Sequence, residues 1–314
     1  MTRAPSPPPE RHNTAGLVVT HHPDAGFIAR AQALAAQVDR LLIVDNGSPA
    51  PARAAIRRWV EGQARLELIQ NDHNLGVATA LNQGAARAGQ LGHAWLLMSD
   101  QDSLFDADAF ERLAASYRAC PYRERVKLLA ANYRIPALGR NGYPGSGTAP
   151  VLPVPAVITA GSLLSLQAFA EAGPFRDDFF IDLVDTEYCF RLRRLGYEVL
   201  VSCQPSMTHE IGRARPEVIF GKVRNISNHS ATRRYYMTRN RVAVLRGYFR
   251  HEPAWLAADL VRAAGELVAM LAYEEGALEK ARGALAGLID GLRGRLGPRR
   301  DQQADPVAGP AEGR

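Results

Sequence analysis

From Leu17 to Ala131, short apolar runs of strand length alternate with segments of helical length and period, and this alternation leaves few architectures open. Leu17 to Thr20, Leu41 to Val44, Leu66 to Gln70, Ala94 to Met98 and Val126 to Ala131 read as strands. Ile28 to Val38, Ala50 to Val60, Val77 to Ala88 and Asp108 to Ala119 read as the helices between them. Such a pattern predicts βαβ units, hence an α/β fold whose strands run parallel with right-handed crossovers. Ala137 to Pro155, thick with Gly and Pro, reads as an irregular excursion. Beyond it the pattern predicts a strand over Ala156 to Leu166, a helix over Asp185 to Leu195 closed by Gly196, and a strand over Glu198 to Ser202.

The pattern changes at Trp255. Leu256, Leu260, Ala264, Leu267, Val268 and Leu271, then Leu278, Leu285, Leu288, Ile289 and Leu292, recur at three- and four-residue spacings and predict two amphipathic helices. Two uses stay open for them: packing on the core or a second subunit, which would make a homo-oligomer, or peripheral contact with a membrane, for which Lys280, Arg282, Arg293 and Arg295 are suited. The expected plan is a disordered N-terminus over 1–13, one catalytic domain over 14–250, a helical extension over 251–296 and a disordered tail over 297–314.

At 314 residues and 46% hydrophobic content the chain can bury a full core. No run reaches the roughly 18 to 20 apolar residues a membrane span needs, and Met1 to Asn13 lacks a signal core, so a cytoplasmic protein is expected, at most peripheral on the inner face of the membrane. Cys120, Cys189 and Cys203 have neither metal-ligand spacing nor scaffold density and read as small buried thiols. Basic residues exceed acidic ones by 38 to 32, much of the surplus lying beyond Arg213. No nucleic-acid-binding pattern accompanies it, so the surplus points to phosphorylated or membrane partners and not to nucleic acid.

Asp100-Gln101-Asp102 directly follows the fourth apolar run, where a buried strand reaches solvent. In open α/β sheets ligands gather at such strand ends, and two carboxylates there suit a divalent cation on a diphosphate, although an acidic turn alone would look the same. The first strand ends at Thr20 and the second at Asp45-Asn46-Gly47-Ser48, groups able to hold a base or ribose or simply to make a turn. Asn74-Leu75-Gly76 opens a helix whose free amides favour a phosphate or ribose oxygen. Asp182, Asp185 and Glu187 open the Asp185 to Leu195 helix among apolar neighbours. Asp182 also suits an N-cap with Asp185 at the third position, while apolar surroundings raise a carboxylate's pKa toward what a general base requires, the role assigned to Asp185. His209 follows the last strand and can complete an Asp-x-Asp cation site. Arg233-Arg234-Tyr235-Tyr236-Met237-Thr238-Arg239-Asn240 offers guanidinium groups to a diphosphate or an anionic acceptor, or forms a basic helix face with its tyrosines turned inward.

In this order the motifs Ser99-Asp100-Gln101-Asp102-Ser103, Phe180 to Tyr188 and Arg234 to Asn240 resemble the inverting family 2 glycosyltransferases of GT-A fold, more narrowly their bacterial L-rhamnosyltransferase branch. The resemblance covers about Leu17 to Tyr248. It implies a nucleotide-diphospho-sugar transferase with a Rossmann-like mixed sheet, dTDP-L-rhamnose as donor, and a lipid-linked saccharide, glycolipid or cell-surface polysaccharide precursor as acceptor. It places the nucleotide sugar against Thr20, Asp45, Asn46, Asn74, Gly76, Asp100, Gln101, Arg234, Tyr236, Arg239 and Asn240. By the same likeness Asp102, Asp100 and His209 hold Mg²⁺ or Mn²⁺, and Asp185 deprotonates the acceptor. The family's usual Glu-Asp pair is here Val184-Asp185, which leaves Asp182 or Glu187 to share that work. Rhamnolipid synthesis on a mono-rhamnosylated acceptor, and a donor other than dTDP-rhamnose, remain alternatives. A nucleotidyltransferase would need a Gly-rich basic signature near the first strand, and Leu17 to Gly26 has none.

Overall fold

The computed structural model describes residues 6–145, 149–209, 215–219, 222–226 and 228–299. The first half alternates β1 (Thr14–Thr20), α1 (Phe27–Ala35), β2 (Arg40–Asn46), α2 (Ala50–Val60), β3 (Leu66–Asn71), α3 (Val77–Gln90) and β4 (Trp95–Asp100). Strand β1 pairs in parallel with β2 and β4, and β2 with β3. Strands β1, β2 and β4 are buried on both faces: in β2, Leu42 and Val44 pack into one core, Leu41 and Ile43 into the other. That is why the strands read as continuous apolar runs and not as alternation.

Next come β5 (Leu104–Phe105), α4 (Ala109–Ala119), β6 (Val126–Ile135), β7 (Arg140–Asn141), β8 (Val151–Pro153), β9 (Ser162–Ser165), α5 (Leu166–Ala172), α6 (Val184–Arg194) and β10 (Glu198–Thr208). The mixed sheet runs β3-β2-β1-β4-β9-β6-β10-β5, with β9 antiparallel to both β4 and β6. The hairpin β11 (Arg215–Ile219) and β12 (Lys222–Ile226) precedes α7 (Ala231–Tyr248), α8 (Pro253–Tyr273) and α9 (Ala277–Leu292). This is a GT-A-like architecture with C-terminal helices.

Several sequence expectations need correction. Within the expected strand Ala156 to Leu166, only Ser162–Ser165 pairs: the chain turns at Gly161 (φ 78°), and Ser165 then caps α5 by accepting the Ala168 N–H. Residues 6–13 are not loose, because the Trp95 indole donates to the Pro7 carbonyl at 2.7 Å and Ser6 meets Ser165 at 2.8 Å. Residues 297–299 are docked as well: Gly297 N–H donates to Asp178 O at 2.7 Å and Arg299 N–H to the Tyr236 hydroxyl at 2.7 Å. Residues 300–314 of the expected tail lie outside the described part. The three cysteines are buried free thiols.

Helix α9 lies along α7 through Gly283, Gly287 and Gly291. A Cβ at Gly287 would overlap the Tyr235 carbonyl, and one at Gly291 would stand 2.9 Å from the Arg239 carbonyl. Three glycines at four-residue spacing therefore let two backbones approach closely, and this fixes the back of the functional cleft.

Candidate active site

A cleft of about 510 Å³ opens at the carboxyl ends of β1, β2 and β4, a volume within the range of small-ligand sites. Asp100, Gln101, Asp102 and His209 line it together with Asp182, Asp185 and Arg233. One ligand atom from each of Asp100, Asp102 and His209 lies within 4.8 Å of the others. Oxygen and imidazole donors this close suit Mg²⁺ or Mn²⁺. His209 Nδ1 stands 3.5 Å from Asp102 Oδ1 and 3.0 Å from Ser103 Oγ. Burial pushes the Asp100 carboxyl above the ordinary range; the nearby Asp102 charge adds to the rise, while His209 and Arg233 oppose it.

The turn between these aspartates is fixed by its middle residue. Gln101 Oε1 accepts the Thr20 hydroxyl at 2.8 Å and the His21 N–H at 2.9 Å, while Arg30 Nε donates to the Gln101 carbonyl at 2.8 Å. Thr20 thus stands behind the cleft wall and positions the turn. Asp45 is fully buried at the end of β2: Oδ1 accepts the Ser48 N–H at 3.2 Å, and Oδ2 has no partner among the described residues. Asn46 lines the cleft and is tied by its amide to Asn74 Oδ1, the Gly76 carbonyl and the Leu75 N–H.

The segment 179–183 that presents Asp182 and Asp185 is strained. Phe180 (φ 64°, ψ −65°) forms a γ-turn closed by Ile181 N–H to Phe179 O at 2.7 Å, and Asp182 (φ 65°) and Leu183 (φ 59°) follow in the left-handed region. Asp182 is therefore not an N-cap: Leu183 holds that position with no side-chain bond. What over-determines the segment is α7. Asn240 Nδ2 reaches the carbonyls of Phe179 at 3.0 Å, Ile181 at 2.8 Å and Asp182 at 2.8 Å. Arg239 Nη2 reaches those of Asp178 at 2.9 Å and Phe179 at 3.0 Å, and the Tyr236 ring stacks on Phe180 at 5.1 Å. Gly76 (φ 88°) completes the support, because a Cβ there would stand 2.7 Å from the Phe180 ring.

Burial dominates the electrostatics of Asp182 and Asp185. It lifts the Asp185 carboxyl to about 6, assisted by the charges of Asp100 and Asp182 and opposed by the Thr186 N–H donated at 2.7 Å. Burial also raises Asp182, against the pull of Arg233, whose Nη2 stands 3.1 Å away. A carboxylate poised near neutrality on a cleft wall can accept a proton from a bound hydroxyl.

Some of the sequence-assigned residues lie elsewhere. Glu187 is buried behind the wall, held by Arg191 at 2.5 Å and the Tyr248 hydroxyl at 2.7 Å, so it does not share the cleft with Asp185. Arg234 turns from the cleft to Glu274 at 2.7 Å. Tyr236, Arg239 and Asn240 line none of it; they brace the segment that does. The amides at the start of α3 are also spent: Val77 N–H donates to Phe180 O at 2.7 Å, Gly76 N–H to Asn74 Oδ1 at 2.9 Å and Leu75 N–H to Asn46 Oδ1 at 3.0 Å. Sequence reasoning chose Arg234 where helix phase turns Arg233 into the cleft, and it missed Ile158 and Thr159, whose signal was the turn-forming Gly161-Ser162 just beyond.

Residues 18–122 match the model of glycosyl transferase family 2, the segment that contributes β1, β2, β4 and the Asp100-Gln101-Asp102 turn. Over this segment, about a third of its length, the chain is similar to the family 2 glycosyltransferases. It is 27% identical over 301 residues to the dTDP-rhamnosyl transferase RfbF of Shigella flexneri, covering 91% of this chain and 97% of that protein. Among solved structures, the chain superposes on the mannosyltransferase PcManGT of Pyrobaculum calidifontis, solved with GDP-Man and Mn²⁺, with a TM-score of 0.54 at 16% identity, covering 93% of this chain and 89% of that one. It also superposes on GalNAc-T7, solved with UDP, GalNAc and Mn²⁺, with a TM-score of 0.56 at 12% identity; that match covers 78% of this chain but spans about half, 49%, of GalNAc-T7. At such identities these two likenesses speak for the fold alone.

Proposed function

We propose that this glycosyltransferase moves L-rhamnose from dTDP-L-rhamnose to a hydroxyl of a saccharide acceptor, a lipid-linked or cell-surface polysaccharide precursor, with inversion at the anomeric carbon. The observation that carries the chemistry is the convergence of the Asp100, Asp102 and His209 cluster and of Asp185 on one cleft. Support for the donor is the likeness to RfbF along nearly the whole chain.

In this reading Asp100, Asp102 and His209 hold Mg²⁺ or Mn²⁺, which when bound neutralises the charge growing on the departing diphosphate. Asn46 and Asn74 hold the nucleotide, with Asp45 buried behind them. Asp185 accepts the acceptor hydroxyl's proton while that oxygen bonds to the anomeric carbon and the bond from that carbon to the diphosphate oxygen breaks, its electrons leaving with the nucleotide. Attack from the face opposite the leaving group turns the β-linked donor into an α-L-rhamnoside. Arg233, paired with Asp182 and near enough to Asp100 to act on its charge, adds a cation to the cleft.

A thermal-shift panel of nucleotide sugars with and without Mn²⁺ tests the donor. A ligand at about 100 times its Kd stabilises by about 2.7 kcal/mol, so dTDP-rhamnose with Mn²⁺ is expected to give the largest rise in Tm. A larger rise with a UDP-hexose rejects the donor assignment.

A further inference from the structure

The outer faces of α8 and α9 carry apolar side chains that remain exposed among the described residues. On α8, Val261 is 75% and Val268 64% exposed, with Leu260, Leu267 and Leu271 about half exposed beside them. On α9, Leu285 and Ile289 each stand two residues beyond a buried glycine, Gly283 and Gly287, and so roughly 200° around the helix from the face packed on α7. Leu278, 74% exposed, and Leu292, 54% exposed, extend that outer stripe at both ends. With Leu288 included, these side chains expose on the order of 1,000 Å² of apolar surface, against about 300 to 600 Å² for the largest patch of an ordinary monomer.

The charges around this surface indicate what covers it. From Ala263 to Tyr273 the one charged residue is Glu266, which turns inward to Arg234 at 3.9 Å. On α9 the exposed Arg282 and Arg293 flank the leucine stripe and Arg295 follows; the exposed Glu275 and Glu279 stand at the turn into α9, and Asp290 faces the Tyr235 hydroxyl at 2.9 Å and Arg295 at 3.8 Å. An apolar strip with a cationic border complements an anionic lipid surface: the leucines and valines enter the acyl boundary while the long arginines reach lipid phosphates. Between residues 300 and 314, Val307 is the single branched aliphatic side chain. None of the described helices is long and apolar enough to cross a membrane, so the contact is lateral.

We infer that the α8–α9 face is a docking surface for an anionic phospholipid bilayer, on which the two helices lie flat. This goes beyond the sugar-transfer reading and does not depend on its donor. The test is flotation of the full chain with vesicles of phosphatidylcholine, with and without phosphatidylglycerol, at low and high salt. Co-flotation with the phosphatidylglycerol vesicles, weakened by salt, is expected. Arg282→Gln combined with Arg293→Gln should lower that affinity about thirty-fold, and Val261→Glu with Val268→Glu should lower it at least about ten-fold without changing the thermal melt, because all four positions are exposed. Absence of wild-type flotation, or flotation that neither pair weakens, overturns the inference. So does a dimer, seen by light scattering, that Val261→Glu with Val268→Glu dissociates.

Discussion

Asn240 makes no contact with the cleft, yet its loss should disable the enzyme. Its amide nitrogen carries two hydrogens and reaches three carbonyls of the segment that holds Asp182, so Asn240→Ala removes about two full hydrogen bonds and leaves buried acceptors without donors. Two net bonds at about 1 kcal/mol each, plus about 1 to 2 kcal/mol for the orphaned carbonyls, give a cost of about 3 to 4 kcal/mol. The segment has somewhere to go. Its three positive-φ residues, Phe180, Asp182 and Leu183, each hold about 1 to 3 kcal/mol of strain that relaxation would release. The global stability loss should therefore be smaller than the bond count, while the fraction of molecules with Asp182 and Asp185 correctly placed falls by the larger figure. At about 1.4 kcal/mol per tenfold, kcat/KM should drop by about 10² or more with a Tm shift of only a few degrees. Hydrogen exchange of the amides of 180–183 should accelerate in parallel. Asn240→Asp, which aims a carboxylate at the same carbonyls, should be at least as damaging. An Asn240→Ala enzyme with wild-type turnover and unchanged exchange would refute the bracing argument.

Three further outcomes follow from the same geometry. Asp185→Asn should lower turnover by about 10² to 10⁴ as expected of a lost general base, and in the wild type kcat/KM should fall about tenfold per pH unit below about 6, measured as a pH profile of sugar transfer. The same substitution should stabilise the fold above pH 6. The folded state raises this carboxyl from its ordinary value to about 6, so the charged form costs up to about 2 to 3 kcal/mol there, and a higher Tm for Asp185→Asn at pH 8 than for wild type checks the sign. Asp102→Asn should abolish the extra thermal stabilisation that Mn²⁺ adds to a bound nucleotide sugar while leaving the metal-free Tm within about 1 °C, since this side chain is half exposed. Gly287→Ala should destabilise by about 1 to 3 kcal/mol in denaturant titration, because the added methyl overlaps the Tyr235 carbonyl where α9 lies on α7; an unchanged midpoint would contradict that contact.

The first four strands and three helices were legible because their signal is local. Buried parallel strands are short apolar runs, and the helices between them carry one apolar stripe each, so composition within a window of a dozen residues suffices. Helix α7 was not legible as a helix by that means. Its buried residues include Arg234, Arg239 and Asn240, so its apolar and polar side chains do not segregate to opposite faces. The strand expected over Ala156 to Leu166 failed for a related reason: an apolar stretch can line a cleft, turn and begin a helix without changing its composition.

Sequence alone marked Asp100, Asp102 and Asp185 as groups able to do metal and proton chemistry because they stand beside apolar runs where a polar side chain needs a reason, and His209 because it follows the last strand and can complete an Asp-x-Asp cation site. What it left undecided was which polar residues face the cleft and which face the protein. Arg233 and Arg234 are neighbours in the chain, yet one pairs with Asp182 in the cleft and the other with buried Glu274. Asp185 and Glu187 open the same helix, yet Arg191 and Tyr248 hold Glu187 behind the wall. A helix advances about 100° per residue, so adjacent side chains point apart, and only the packing of α6, α7 and α9 against the sheet selects the direction that meets the cleft. That packing also holds the strained turn at Phe180, which no pattern of local propensities favours and which depends on contacts from residues some sixty positions away.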